Sequence, residues 1–223
     1  MDPAKLAARF PRLFHMAHFD SWPSIEQHGL LSTSALLDLF EVRGAERDRI
    51  EAQWRGDSIR IEHPKHGAAV VRDQLPLRHD HLARCLTDGL SPADWYRILN
   101  QHVFFWVDES QLEVLINARA YRALPQTVLV LDTSSLLERH LADVRLSSIN
   151  SGSILRGGAM RGPSTFRLVA EHDKYRVVEL CVVGSVPDVR DLAVRVEHRW
   201  PDGRLDSVYE RETVLGRKSK AFA

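Results

Sequence analysis

Residues 13–32 constrain this chain more than any other part of its sequence. A short apolar run carries His15 and His18, and an amphipathic turn that ends at Gly29 follows it. This order predicts a strand followed by a short helix. Because side chains on a strand alternate between its two faces, His15 and Ala17 share one face and His18 lies on the other. A buried histidine needs a hydrogen-bond partner or a ligand, so His15 indicates either a structural histidine or a binding site.

The composition is that of an ordinary globular protein, with 223 residues of which 44% are hydrophobic and 27% charged. We expect one domain over residues 1–216 and a frayed basic tail over residues 217–223. Lys plus Arg and Asp plus Glu number 30 each, so the net charge gives no argument for nucleic acid. No apolar run reaches the length of a membrane span, and Cys85 and Cys181 form no CxxC pattern. We therefore expect a cytoplasmic protein with no membrane partner.

Helices and strands are interspersed along the chain without the regular spacing or glycine-rich loop of a doubly wound nucleotide fold. Helices are predicted at residues 3–10, 23–28, from Ser32 or Ser34 to 40, 45–55, 79–86, 92–101 and 110–121. Strands are predicted around His15 and at residues 58–62, 68–73, 103–107, 127–131 and 175–183, with a hairpin at 193–211. Residues 147–163 are predicted to form a long loop, which indicates a functional or a disordered segment.

Four segments of the chain follow one another in an informative order. The first is the pattern His-x-x-His-x-Asp-x-x-x-Ser-Ile-x-x-x-Gly-Leu from His15 to Leu30. The others, in the same order, are Ile-Glu-Ala-Gln-Trp-Arg at residues 50–55, Arg-Asp-Gln-Leu-Pro-Leu at 72–77 and Val-Glu-Leu-Cys-Val-Val-Gly-Ser-Val-Pro at 178–187. Together these four segments resemble the DarT-type DNA ADP-ribosyltransferases. The chain departs from that family where Ala17 replaces a threonine, Ser21 an asparagine and Leu77 an aromatic residue. It also resembles uncharacterised bacterial proteins that share its Val-Phe-Phe-Trp and Asn-Ser-Gly signatures.

The resemblance implies an α+β fold in which two small, mostly antiparallel sheets surround an NAD cleft with flanking helices. The implied activity is NAD-dependent ADP-ribosyl transfer to a nucleobase in DNA or RNA, with NAD as substrate and no metal. Implied partners are single-stranded DNA or RNA and an antitoxin protein. Two alternatives stay open, an enzyme similar to RNA 2′-phosphotransferases and an inactive module that binds a nucleotide or a partner. Ala17 and Ser21 favour the inactive module.

The resemblance also assigns roles to residues. Glu179 is the implied catalytic carboxylate and Arg55 its helper, which contacts phosphate or polarises the acceptor. The residues implied to bind NAD are His15, Ala17, Ser21, Gly29 and Leu30. The glycine-rich loop is a separate prediction from its own residues: Asn150 and Ser151 are expected to cover NAD, and Arg156 and Arg161 to bind the acceptor, because such loops with two arginines suit phosphate contact.

The residues themselves leave alternatives beside these roles. Glu179 is the only charge between Val177 and Val183, so it either faces a pocket or pairs with a cation such as Arg176. Arg55 could equally be a solvated helix end, and the loop with Arg156 and Arg161 a mobile one.

Overall fold

The computed structural model describes residues 1–77, 79–154, 158–173 and 175–211, so the predicted tail and Arg156 lie outside the described residues. The described strands are β1 (Arg12–His18), β2 (Leu30–Leu31), β3 (Ile59–His63), β4 (Gly67–Val71), β5 (His102–Trp106), β6 (Gln126–Asp132), β7 (Val144–Ser147), β8 (Arg167–Leu168), β9 (Glu179–Val183), β10 (Ser185–Val186), β11 (Ala193–Arg199) and β12 (Leu205–Glu210). The described α-helices are α1 (Pro3–Arg9), α2 (Trp22–His28), α3 (Thr33–Leu39), α4 (Gly44–Glu51), α5 (His79–Leu82), α6 (Pro92–Asn100), α7 (Glu109–Ile116), α8 (Thr133–His140) and α9 (Val189–Leu192).

Eight strands form one antiparallel sheet in the order β12-β11-β6-β1-β5-β9-β7-β8. Two further antiparallel sheets have two strands each, β10 with β2 and β3 with β4. The chain is therefore a mixed α/β protein with antiparallel sheets, as its sequence predicts. The expectation of two small sheets is wrong, because eight of the strands belong to one sheet.

That sheet is nevertheless nearly divided between β1 and β5. The two strands pair at one position only, Phe14 with Trp106, whereas β1 and β6 pair along all seven residues of both strands. From His15 onward, β1 leaves β5, and the strand edges on each side of the gap lack the usual ladder of backbone hydrogen bonds. The gap gives the main sheet an opening between two four-stranded halves.

Four apolar clusters surround this opening, and the smallest holds Phe14, Leu112, Val128 and Val130. The largest packs α1, α8 and α9 against the sheet through residues such as Leu6, Leu136 and Leu192. A second cluster, which includes Ile61 and Val71, lies under the β3–β4 hairpin, and a third packs α6 beside β5. Each wall is thus anchored by its own buried side chains. None of the helices in the described ranges has the length and apolar character needed to cross a bilayer.

The element bounds confirm most predictions and correct several. Ser32, and not Ser34, accepts the backbone N–H of Ala35 and caps α3. The helix predicted at 45–55 ends at Glu51, because the chain then turns inward at Arg55. The strand predicted at 175–183 begins only at Glu179. β5 alternates between buried and half-buried positions, because one of its faces lies beside the opening.

Gly29 allows α2 to approach the segment that follows β9. Its φ is +83°, and a Cβ at this position would lie 2.6 Å from Pro187 Cα. Backbone atoms cannot yield as a flexible side-chain tip can, so a side chain would push α2 away from residues 185–187. Leu30 and Val186 pair immediately beside this contact. A glycine here therefore fixes the position of one cavity wall.

We predict that Gly29→Ala lowers the free energy of unfolding by about 3 kcal/mol, because it combines a positive φ with a backbone clash. Gly203 is the matched control, since its φ is +87° and nothing lies within 4 Å of a Cβ there. Gly203→Ala should cost only about 1 kcal/mol. Urea unfolding of both variants measures the difference, and equal losses would contradict this role of Gly29.

Candidate functional site

A cavity of about 500 Å³ opens where β1 and β5 diverge. Its walls come from these two strands, the α2–α3 region, the β3–β4 hairpin and the loop at residues 150–152, with Glu179 also in its lining. Nine residues that the sequence assigned to a site line this one cavity: His15, Ala17, Ser21, Gly29, Leu30, Arg55, Asn150, Ser151 and Glu179. Segments far apart in the chain thus meet at the opening in the sheet.

Glu179 is a buried carboxylate at the start of β9, paired with Trp106 on one side and Ser147 on the other. Both of its oxygens accept the Ser151 backbone N–H at 3.1 Å. Burial raises the pKa of Glu179 to about 7, although the Ser151 hydrogen bonds and the charge of Arg161 act in the opposite direction. No basic side chain lies within 4 Å of it among the described residues, so the alternative of a salt bridge with Arg176 is wrong.

Arg161 holds the loop that contacts Glu179. Its buried guanidinium donates to the carbonyls of Ser151 at 3.3 Å and Asn150 at 3.2 Å, and also to those of Ala159 and Ser153. Every guanidinium nitrogen therefore has a protein acceptor, and Arg161 is not among the residues that line the cavity. Its position fits a structural support for Ser151 better than the predicted contact with an acceptor.

His15 presents one ring nitrogen as a hydrogen-bond acceptor. Its Nδ1 lies 2.8 Å from the Phe104 carbonyl oxygen, which can only accept, so Nδ1 carries the proton. Burial, and to a lesser degree the charge of Arg72, lowers the pKa of His15 to about 4. The ring is therefore neutral near pH 7, and Nε2 is a free acceptor in the lining of the cavity. His18 is exposed on the diverging end of β1.

Arg55 is buried, not solvated as a frayed helix end would be. Its Nε donates to the Arg72 carbonyl at 3.1 Å, Nη2 to Asn100 Oδ1 at 3.0 Å and Nη1 to the Ile50 carbonyl. Burial lowers the pKa of Arg55 to about 10. These bonds turn the guanidinium toward the protein, and one of them fixes the backbone of Arg72.

Sequence reasoning missed Arg72, which lines the cavity and follows directly after β4. Its Nη1 donates to Gln126 Oε1 at 2.8 Å and to the Ala17 carbonyl at 3.1 Å, and its guanidinium lies 5.1 Å from the centre of the Tyr121 ring. The sequence does contain a signal for it: Arg72 is a cation directly after the apolar strand β4, just as Glu179 is an anion at the start of the apolar strand β9. Gln126 and Tyr121 carried no such signal.

A family model matches residues 11–193, a range that contains every described residue of this cavity lining. The chain belongs to DUF7002, a family of unknown function. None of the curated proteins matches this DUF7002 chain. Its described residues include no group of three or more His, Cys, Asp or Glu side chains arranged to hold a metal ion.

The raised pKa of Glu179 predicts an unusual pH dependence of stability. Because the folded carboxyl binds its proton more tightly than the unfolded one, with its pKa of 4.5, stability falls as pH rises from 4.5 to about 7. Glu179→Gln removes this loss. As pH rises from 4.5 to 8, the free energy of unfolding of the variant should therefore increase by about 3 kcal/mol relative to that of the native protein.

Urea unfolding at several pH values measures this difference. His15, whose lowered pKa acts in the opposite direction below pH 6.5, contributes to both proteins alike and cancels. The exposed Glu138 is the matched control, and Glu138→Gln should follow the native protein at every pH. Parallel pH profiles for Glu179→Gln and the native protein would contradict a raised pKa.

Proposed function

We propose that this DUF7002 protein is an NAD-dependent ADP-ribosyltransferase with Glu179 as its catalytic carboxylate. One observation carries the proposal: the residues that the resemblance assigned to catalysis and NAD binding, drawn from separate segments, line one cavity with a buried carboxylate. A concave, mostly apolar cavity with a few converging polar groups is the usual form of a small-molecule site.

The chemistry needs a carboxylate near the sugar. As the bond between nicotinamide and C1″ of the ribose breaks, positive charge grows on the sugar, and a fixed carboxylate stabilises that charge. Glu179 is held for this task by the Ser151 N–H. A nucleophilic atom of the acceptor bonds to C1″ and releases its proton to water, while nicotinamide leaves with the electron pair of the broken bond.

His15 and the apolar part of the lining support the binding of the adenosine half of NAD. His15 Nε2 is an unprotonated acceptor, so it can receive the hydrogen of a ribose hydroxyl. Aromatic and aliphatic side chains in the same lining, including Phe104, Trp106 and Ile25, provide apolar surface for flat rings. A neutral donor–acceptor histidine beside apolar walls fits a nucleoside better than it fits an ion.

The acceptor and the wider setting of the reaction are also part of this proposal. A nucleobase in single-stranded DNA or RNA as acceptor, an antitoxin protein as regulator and a cytoplasmic location rest on the resemblance. Ala17, which replaces the threonine of the similar family, lies buried in the cavity lining and leaves out one hydroxyl contact. The NAD contacts of this chain therefore differ from those of that family at this position.

The direct test is transfer of label from ³²P-NAD to single-stranded DNA, RNA and cell lysate. We expect labelled product with the native protein and with Glu138→Gln, and a loss of roughly 10²–10³-fold with Glu179→Gln, as for other electrostatic stabilisers. Label in a nucleic acid fraction identifies the acceptor class. NAD binding without label transfer would contradict the enzyme and leave a nucleotide-binding module.

The rate of transfer should also depend on pH. The ionised carboxylate is the active form, so the rate should rise about tenfold per pH unit below pH 7 and level off above it. Single-turnover rates between pH 5.5 and 8.5 measure this profile. A rate that is constant down to pH 5.5 would contradict the assignment of Glu179, whose pKa lies near 7 in the free protein.

A further inference from the structure

Arg72 is a half-buried cation in the cavity lining, and the described residues give it no carboxylate partner. Its Nη1 donates to two neutral oxygens, those of Ala17 and Gln126, and Tyr121 is a further side-chain partner. Within the described ranges, no carboxylate oxygen lies within 4 Å of this guanidinium. Loss of solvation is the main cause that lowers the pKa of Arg72. A buried charge without a partner is costly, so such a group calls for a counter-ion.

The other buried arginines of the chain are satisfied by the protein. Arg199 is paired with Glu197, Glu109 and Glu113. Arg55 and Arg161 have an acceptor at each guanidinium nitrogen. Of these three, only Arg55 lines the cavity, and its donors are engaged. Arg72 therefore differs: beside the two Nη1 bonds its further hydrogen-bond partner among the described residues is Tyr121, which leaves guanidinium N–H groups available to the cavity.

The nearest acidic group is itself engaged. Asp73 accepts hydrogen bonds from the Tyr121 hydroxyl, from Ser58 Oγ at 3.2 Å and from the Leu75 N–H at 3.2 Å. It attracts Arg72 from beyond ion-pair distance, and Tyr121 lies between the two through its ring and hydroxyl. The network holds Arg72 in place without neutralising it, which leaves the charge for a ligand.

We propose that Arg72 forms the anion subsite of the cavity and binds a phosphoryl group of the ligand. The planar guanidinium has N–H groups beyond those that its protein partners use, and its geometry matches the oxygens of a phosphate. Gln126, Ala17 and the Arg55 bond to the Arg72 carbonyl set its position. This last step rests on the proposed function: the phosphoryl group is then the diphosphate of NAD, which joins the adenosine ribose bound at His15 to the nicotinamide ribose beside Glu179.

The test compares ADP with adenosine, which differ only in the diphosphate. Isothermal titration calorimetry should show that the native protein binds ADP at least tenfold more tightly than adenosine, and that inorganic pyrophosphate competes with ADP. Arg72→Gln should lose roughly 10–100-fold of ADP affinity and leave adenosine binding unchanged. Arg72→Lys should retain part of the preference for ADP over adenosine, because lysine keeps the positive charge but lacks the planar guanidinium that can donate two parallel hydrogen bonds.

Arg60 provides the matched control. It also lines the cavity, but its side chain is 65% exposed and paired with Glu62, so Arg60→Gln should keep the full preference for ADP. If Arg72→Gln does not fold, Arg72→Lys and the pyrophosphate competition in the native protein decide the result. The inference is overturned if the native protein binds ADP no better than adenosine, or if both Arg72 variants keep the full preference.

The outcome is separable from that of the proposed function. An ADP preference that depends on Arg72, in a protein that transfers no label from NAD, supports the anion subsite and contradicts the transferase. Label transfer that Arg72→Gln leaves unchanged, together with an unchanged ADP preference, supports the transferase and contradicts the subsite.

Discussion

The single contact between Phe14 and Trp106 determines much of this structure. Because β1 and β5 meet there and then diverge, the main sheet stays continuous but gains an opening in its middle. A sheet normally fills such a position with a hydrogen-bonded ladder and packed side chains. Here the gap becomes a cavity, bounded by α2, the β3–β4 hairpin and the loop at residues 150–152. The site is thus a consequence of strand pairing and does not need a second domain.

The same opening explains the unusual protonation states around it. His15, Arg72 and Glu179 are all taken out of water by the apolar walls, and for each the loss of solvation favours the neutral form. The lost solvation of His15 and Glu179 is partly replaced by hydrogen bonds to oriented backbone groups, the Phe104 carbonyl and the Ser151 N–H, and not by ion pairs among the described residues. Polar groups that are fixed in a water-poor cavity can act strongly on a ligand that enters it.

Much of the fold and part of the site could be read from the sequence. Caps such as Ser91 and Pro92, and the apolar run of β6, are local signals, so α6 and this strand were predicted closely. His15 and Glu179 stood out because a polar residue inside an apolar strand needs an explanation. The partners of a guanidinium have no local signal: Arg55 and Arg161 bind backbone carbonyls that only the fold brings near them. Arg72 went unnoticed for the same reason, since its exceptional feature is the lack of a counter-charge.

The most direct test of the account is a crystal structure of the protein with NAD. The account predicts NAD in the cavity between β1 and β5, with a ribose hydroxyl of the adenosine half at His15 Nε2 and the nicotinamide ribose beside Glu179. NAD bound elsewhere on the surface, or in the cavity with its nicotinamide ribose directed away from Glu179, would contradict it.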